Sequence, residues 1–371
     1  MNDPNIPAAA APVPRPDEGP VPGARWGVVA TMDEPAPLAA AWVAHHLTIG
    51  ASEVHVVFDR PNPEAEALLA GIPGVILRRS GDDGWERGWK QKRPARHQGR
   101  QKYNATKALA DTKCDWIIHC DADEYVRLAR PLDWELAKTG AGKAWLRLEV
   151  EERVWLDPAM GGDIFQGAFR TRWDMFDLMA VGLYGPERAA YLNRGVSGHV
   201  AGKPCVRAGC GHVIGVHYPI SHWDATQSDL PYRSSYNATL MHFDGMTRLH
   251  YILKMLRRGS IQVKGKPVPY ADSRTRQFMA AAARAGDPAA LADLWWQVQG
   301  ISAEEAAQLT ELEVLRRPSV EIVAETRALF GDRVDLSPAA FDRALIAHEV
   351  AHLAEFAELW GFDPEPLVSS A

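Results

Sequence analysis

The chain has 371 residues, 46% of them hydrophobic, with a formal net charge of −6. That length and apolar content suffice for one large α/β domain with an appended helical region, and exclude a wholly disordered chain. The acidic balance argues against a general nucleic-acid binder, and runs such as Val54–Phe58 fall far short of the roughly 20 apolar residues that span a bilayer.

Residues 1–24 are Ala/Pro/Gly-rich and read as a disordered tail, because such composition buries too little surface to fold. The start also lacks the basic residues and unbroken apolar core of a secretory signal, so a cytoplasmic location is expected. Trp26–Thr31 is a short apolar run that predicts a strand, and it ends in Met32-Asp33-Glu34. Leu38, Trp42, His45 and His46 then recur at helical spacing up to Gly50. Glu53–Phe58 predicts a second strand, closed by Asp59-Arg60-Pro61-Asn62-Pro63. A helix over Glu64–Ala70, a strand over Gly74–Arg78, a helix over Lys102–Ala110 and a strand over Asp115–Cys120 follow.

Strands alternating with helices at this spacing imply a mostly parallel sheet covered on both faces, with ligands held beyond the carboxyl ends of the strands. Asp33-Glu34, Asp59 and Asp121–Glu124 all sit at such ends and should converge on one crevice. Residues 144–156 read as a strand pair, and residues 160–235, rich in Gly, Arg and aromatics, as the region that handles an acceptor. From Asp244 onward the pattern is helical. The expected division is a tail (1–24), an α/β domain (25–255) and a helical C-terminal region (256–371). Cys114, Cys120, Cys205 and Cys210 do not make a disulfide framework and are expected to be reduced.

Asp121-Ala122-Asp123 follows directly on a buried strand. Two carboxylates at a strand mouth suit a Mg²⁺ or Mn²⁺ ion, which takes its other ligands from phosphate oxygens and water. With this element the chain resembles the family 2-like glycosyltransferases of the GT-A type, in particular the family 92-related branch, over residues 25–255. The resemblance rests on five features in order. They are the acidic pair after the opening strand, the helix Trp42–Ala51, the strand ending in Asp59, the helix with Arg100, Gln101 and Asn104, and Asp121-Ala122-Asp123-Glu124-Tyr125.

The resemblance implies a GT-A (Rossmann-like) fold that binds a UDP- or GDP-linked sugar and transfers it, with inversion, to a glycan or other hydroxyl acceptor. It implies that Glu34 and Asp59 meet the nucleoside, that Asp121 faces ribose or metal, and that Asp123 ligates the metal. In it His242, at the start of the family's closing helix, completes the metal shell, with His217 and His222 as rivals. No transmembrane segment is expected, and peripheral association with a membrane is compatible with the sequence.

Asp174, Asp177 and Glu187 are the candidates for catalytic base, against the plainer reading of loop carboxylates. Seven Lys or Arg residues lie between Arg87 and Lys102 with no acid among them. They read either as a solvated basic face or, through Arg96 and Arg100, as contacts to a diphosphate. Lys203 is a further candidate phosphate contact. His348-Glu349-Val350-Ala351-His352 matches the His-Glu-x-x-His pattern of zinc metalloproteases. No later third ligand follows it, so it reads as a chance match on a solvent-facing helix from about Pro338 to Leu359. A non-catalytic nucleotide-sugar or glycan-binding protein is the alternative from another class.

Overall fold

A computed structural model describes residues 23–81, 93–225, 227–263 and 272–370. The tail to residue 22 and the basic-stretch residues Arg87, Lys90 and Lys92 lie outside them. The first half alternates as expected: β1 (Trp26–Met32), α1 (Ala36–Thr48), β2 (Glu53–Phe58), α2 (Pro63–Leu69), β3 (Val75–Arg79), α3 (His97–Asp111) and β4 (Trp116–His119). These strands form a parallel half-sheet in the order β3-β2-β1-β4. β1 and β2 are buried at every residue; β1 accordingly reads as a near-continuous apolar run, whereas the alternation in β2 comes from Glu53 and His55, which are buried and hydrogen-bonded to each other. α2 starts on local signals: the Asn62 side chain accepts the Ala65 N–H and Pro63 occupies the first helical turn.

The second half is mixed. It comprises β5 (Glu124–Leu128), α4 (Leu132–Ala137), β6 (Trp145–Val154), β7 (Ala168–Thr171), α5 (Phe176–Ala190), β8 (Lys203–Arg207), β9 (Val213–Ile214), β10 (Pro219–Ile220) and β11 (Tyr232–His242). β8 lies antiparallel between β4 and β6 and joins the two halves, while β11 pairs with β5 and β6. Residues 144–156, expected as a strand pair, form one long strand, because β11 on one side and β8 followed by β7 on the other hold β6 extended throughout. α5 is kinked at Gly185 (φ 75°), just before Pro186.

The C-terminal helices are α6 (Arg248–Val263), α7 (Asp272–Ala283), α8 (Pro288–Gln299), α9 (Ala303–Glu311), α10 (Ile322–Phe330), α11 (Pro338–His348) and α12 (Val350–Trp360), with the short strand β12 (Leu315–Arg316) pairing β7. α6 runs across the expected boundary at residue 255. The hydrophobic core is shared as well: Trp42 and Ile118 belong to the same buried cluster as Phe278, Trp295 and Phe341.

The link from β11 to α6 passes through Gly245, where there is no room for a side chain. A Cβ there would lie 2.5 Å from Tyr251 Cβ and 2.9 Å from Tyr251 Cα, so α6 itself would have to move. Gly245→Ala is expected to destabilise the fold by about 1–3 kcal/mol, as overpacking of a filled core does. Urea unfolding checks this, and an unchanged midpoint would show that the junction yields.

Candidate active site

β4 ends at His119, but Cys120 still donates its N–H to the Val29 carbonyl, so the chain leaves the sheet at Asp121. It turns at once. The Glu124 N–H donates to the Asp121 carbonyl at 3.1 Å, and the Glu124 carboxylate accepts the Asp121 N–H at 2.7 Å. Asp121 also accepts a hydrogen bond from the Gln101 amide of α3 (2.5 Å) and pairs with Lys203 Nζ at 2.9 Å. Lys203 opens β8, is wholly buried, and reaches Glu124 as well (3.3 Å). Burial alone would drive the ammonium toward neutrality, but the two carboxylates outweigh it and raise its pKa. Burial likewise opposes charge on Asp121, and Lys203 holds that carboxyl well below the usual carboxylate range. Glu124 is completely buried, and its other oxygen is hydrogen-bonded to His199 Nε2 at 3.0 Å.

Asp123 faces a second cluster. The register of β11 sets His242 beside Glu124 of β5 on one side and beside Glu152 of β6 on the other. His242 Nε2 lies 3.7 Å from Asp123 Oδ2 and 3.9 Å from Asp244 Oδ1, and its Nδ1 lies 3.7 Å from Glu152 Oε2. Burial would lower the pKa of this imidazole, but the carboxylates around it raise it to about 10. Glu152, opposed by burial and favoured by Arg170 at 2.8 Å, falls to about 2. The N–H groups of Ser197 and Gly198 donate to Glu152 at 2.6 and 2.7 Å. That approach needs a glycine, since a Cβ on Gly198 would lie 2.8 Å from His242 Cε1. Asp244 accepts a two-pronged contact from Arg274 (2.5 and 2.6 Å) and a hydrogen bond from the Ser197 hydroxyl (3.0 Å). Lys254 Nζ stands between Asp123 Oδ2 (2.5 Å) and Asp244 Oδ1 (2.8 Å).

Two groups among the described residues have ligand atoms close enough to share one cation: Asp121, Glu124 and His199, and Asp123, His242 and Asp244. Carboxylate oxygen with one imidazole nitrogen is a donor set that suits Mn²⁺ or Mg²⁺. His242 Nδ1 is buried without a hydrogen-bond partner, which leaves that ring less firmly committed than its neighbours. On these grounds the residues fit a divalent cation.

The other expected residues are placed as follows. Asp59, at the end of β2, is held by Arg100 (2.7 and 2.6 Å) and Arg93 (2.9 Å), with His97 at 3.5 Å. Arg96 caps α3 and is exposed. Glu34 lies 3.3 Å from His250 Nε2 on α6. Asp174, Asp177 and Glu187 are exposed on or just before α5; Asp174 pairs with Arg194 (3.9 Å) and Glu187 with Arg284 (3.6 Å). None of the three makes a described contact with the Asp121–Asp123 rim. His217 stacks near His199, with ring centroids 4.3 Å apart, and burial pushes its pKa down to about 3. His222 lies on an outer loop beside Ser221.

The single solvent-facing helix expected to carry His348 and His352 is not found. α11 ends at His348, Glu349 leaves helical geometry (φ −99°, ψ 18°), and α12 begins at Val350, so the two imidazoles do not share one helix face. Glu349 is buried and taken up by Arg60 (3.0 Å), Arg257 (3.5 Å) and His352 (2.5 Å). His348 Nε2 lies 3.6 Å from Asp33 Oδ1, so this segment closes over the ends of β1 and β2.

The sequence reading missed Glu152, His199, Arg274 and the ionic role of Lys254. Glu152 lies in an expected strand but in no motif, and only the β6–β11 register brings it to His242; His199 lies in a stretch with little periodicity and reaches Glu124 from a loop.

No protein-family model matches the chain, and no curated protein does. Among solved structures it is similar to the WbbM bifunctional glycosyltransferase, with 13% identity over 51% of this chain and 32% of that one, at a TM-score of 0.27. It is similar to glucosyl-3-phosphoglycerate synthase from Mycobacterium tuberculosis, solved with Mn²⁺, UDP and phosphoglyceric acid, with 15% identity over 50% of this chain and 56% of that one (TM-score 0.25). The mannosyltransferase Ktr4p from S. cerevisiae is 9% identical over 47% of each chain (TM-score 0.23). The chain thus spans less than two thirds of these proteins, and the overlaps are partial.

Two outcomes test the ionic architecture. Lys203→Met leaves the buried Glu124 carboxylate and the partly exposed Asp121 carboxylate beside an apolar side chain, and is expected to cost about 3 kcal/mol in urea unfolding; a near-neutral effect would mean that water reaches Glu124 as well. The second is a pH profile of thermal stability. The His242 pKa is raised, so its contribution is complete below the ordinary 6.5 and is lost as pH climbs toward about 10. The Glu152 pKa is depressed, so its contribution is complete above 4.5 and is lost as pH falls toward about 2. His242→Gln should flatten the alkaline limb and move the acid limb upward only in part, because Arg170 still holds Glu152.

Proposed function

We propose that the chain is a GT-A type glycosyltransferase that moves a sugar from a UDP- or GDP-linked donor to an acceptor hydroxyl with the help of Mn²⁺ or Mg²⁺. The observation that carries this reading is the closed Asp121–Glu124 turn at the mouth of a parallel half-sheet, with His242 of another strand brought to Asp123. Asp123 and His242 would hold the cation, with Asp121 facing it or the ribose. Bound there, a divalent ion neutralises the diphosphate as it leaves.

The chain's own groups do the rest. Asp59 and Glu34, at the ends of β2 and β1, are assigned to the nucleoside end of the crevice, and Arg96 and Arg100 to the diphosphate. Lys203 keeps Asp121 and Glu124 charged and fixes their positions rather than meeting phosphate, since it is wholly buried. For direct displacement with inversion the acceptor hydroxyl must lose a proton. Asp174, Asp177 and Glu187 are exposed on the α5 segment and would act only on an acceptor lying across it. His199 is the alternative inside the cluster: Glu124 fixes its Nε2, and its Nδ1 is buried without a hydrogen-bond partner among the described residues, so it serves only an acceptor hydroxyl that enters the cluster. Its Nδ1 would take the proton, with the buried carboxylate orienting the ring.

Asp123→Asn keeps the shape of the turn and removes one full charge. Calorimetric titration of UDP and GDP with and without Mn²⁺ is expected to show metal-dependent binding in the wild type, lost in Asp123→Asn. Turnover of a nucleotide-sugar should fall by two orders of magnitude or more, about 3 kcal/mol. Metal-independent binding by the wild type would overturn the metal's role. Metal-dependent binding with no transfer or hydrolysis would favour a non-catalytic sugar-nucleotide binder.

A further inference from the structure

The geometry points to Lys254 as a built-in counter-ion that must leave Asp123 before a divalent cation can take that carboxylate, with the diphosphate of the donor drawing it away. The inference rests on the nucleotide-sugar reading above. An ammonium has three N–H donors, and Lys254 Nζ has three acceptors: Asp123 Oδ2 at 2.5 Å, Asp244 Oδ1 at 2.8 Å and the Asp244 carbonyl at 3.2 Å. It therefore fills the space on which the Asp123 and Asp244 oxygens converge. Asp123, His242 and Asp244 are the group whose ligand atoms could share an ion, so a metal and this ammonium compete for one place.

The local charge is already more than balanced, with four cationic groups against three carboxylates. Asp123, Asp244 and Glu152 face Lys254, Arg274, Arg170 and His242 across contacts of 3.9 Å or less. A divalent ion added to this set meets cations at close range. The two carboxylates are not equally free to respond. Asp244 is wholly buried and held by both prongs of Arg274 and by Ser197. Asp123 is buried too, but its side chain keeps 9% of its surface open and has Lys254 as its close partner, with His242 farther off. Lys254 keeps 22% of its side-chain surface open to solvent, so its long stem has somewhere to move. A diphosphate arriving at the rim offers the ammonium new anionic oxygens, and its departure uncovers Asp123 for the metal. Metal and nucleotide should then bind with positive coupling.

The test is Mn²⁺ binding to the full-length protein, followed by the paramagnetic resonance signal of free Mn²⁺, with no nucleotide present. Lys254→Met is expected to bind Mn²⁺ about tenfold more tightly than wild type or more. Lys254→Arg, which keeps the charge, should stay close to wild type, and the double variant with Asp123→Asn should lose the gain. Adding UDP or GDP should strengthen Mn²⁺ binding by wild type and do much less for Lys254→Met. Lys254→Gln replaces Lys254→Met if the latter melts well below wild type. Equal Mn²⁺ affinity in wild type and the neutral variants, or no Mn²⁺ binding by those variants, would overturn the inference. If neither nucleotide binds any of the proteins, the nucleotide-sugar reading falls, and the comparison without nucleotide still decides what Lys254 does.

Discussion

Lys203 carries a positive charge at a place with no exposure to water, and the neighbouring parts of the molecule are arranged around that fact. An isolated buried ammonium is costly, so Asp121 and Glu124 must stay ionised beside it, and the turn between β4 and β5 must present both to one point. β8, which holds the lysine, runs antiparallel between β4 and β6 and is the strand that joins the parallel half-sheet to the mixed one. A triad of this kind adds little net stability compared with apolar residues of the same volume. Its effect is on uniqueness, because a register slip of β8 by one residue would turn the lysine to the other face and strand both carboxylates.

The C-terminal helices are part of the same construction. α6 supplies Lys254 to Asp123 and, one turn later, Arg257 to Asp33, so one helix touches the ends of both β4 and β1. Arg60 and Arg257 together hold Asp33 and Glu349, which ties the junction of α11 and α12 to the rim of the sheet. α10 lies along α1, where His45 bridges Glu325 and the Val126 carbonyl. The helical region thus frames the crevice, and it shares its core with the sheet.

Local signals made the first half of the fold legible. β1 to β4 are apolar runs bounded by turn residues, and α1 and α3 show helical spacing, so alternation alone yields a parallel sheet with carboxylates at its mouth. His242 could be named only through the family resemblance, which implies a histidine at the start of the closing helix. β11 and the full length of β6 were not legible: their pairings join distant parts of the chain, and β11 begins with alternating exposed and half-buried residues of mixed character. Glu152 and Lys254 look like ordinary charged residues in the sequence. What makes them site residues is burial beside partners far away in the chain, which no local window contains. The break at Glu349, which divides the single helix expected over His348 and His352, was not legible for the same reason: Glu349 is held by Arg60 and Arg257 and no helix-breaking residue marks it.

The pairing of β11 with β5 and β6 also bears on how the molecule assembles. His242 reaches Glu124 only after everything between them has been placed, including β8 and its lysine. Contacts of that separation form late, because the entropy of closing so long a loop is spent before they return anything. β1, β2 and β3 are neighbours in sequence and can form first, whereas β4 reaches β1 across about 90 residues and, once paired, carries Asp121 and the following Glu124 at an open edge with no cation beside them. Until β8 docks, those carboxylates repel one another across the turn. Docking of β8 therefore completes the joined sheet and the candidate active site together.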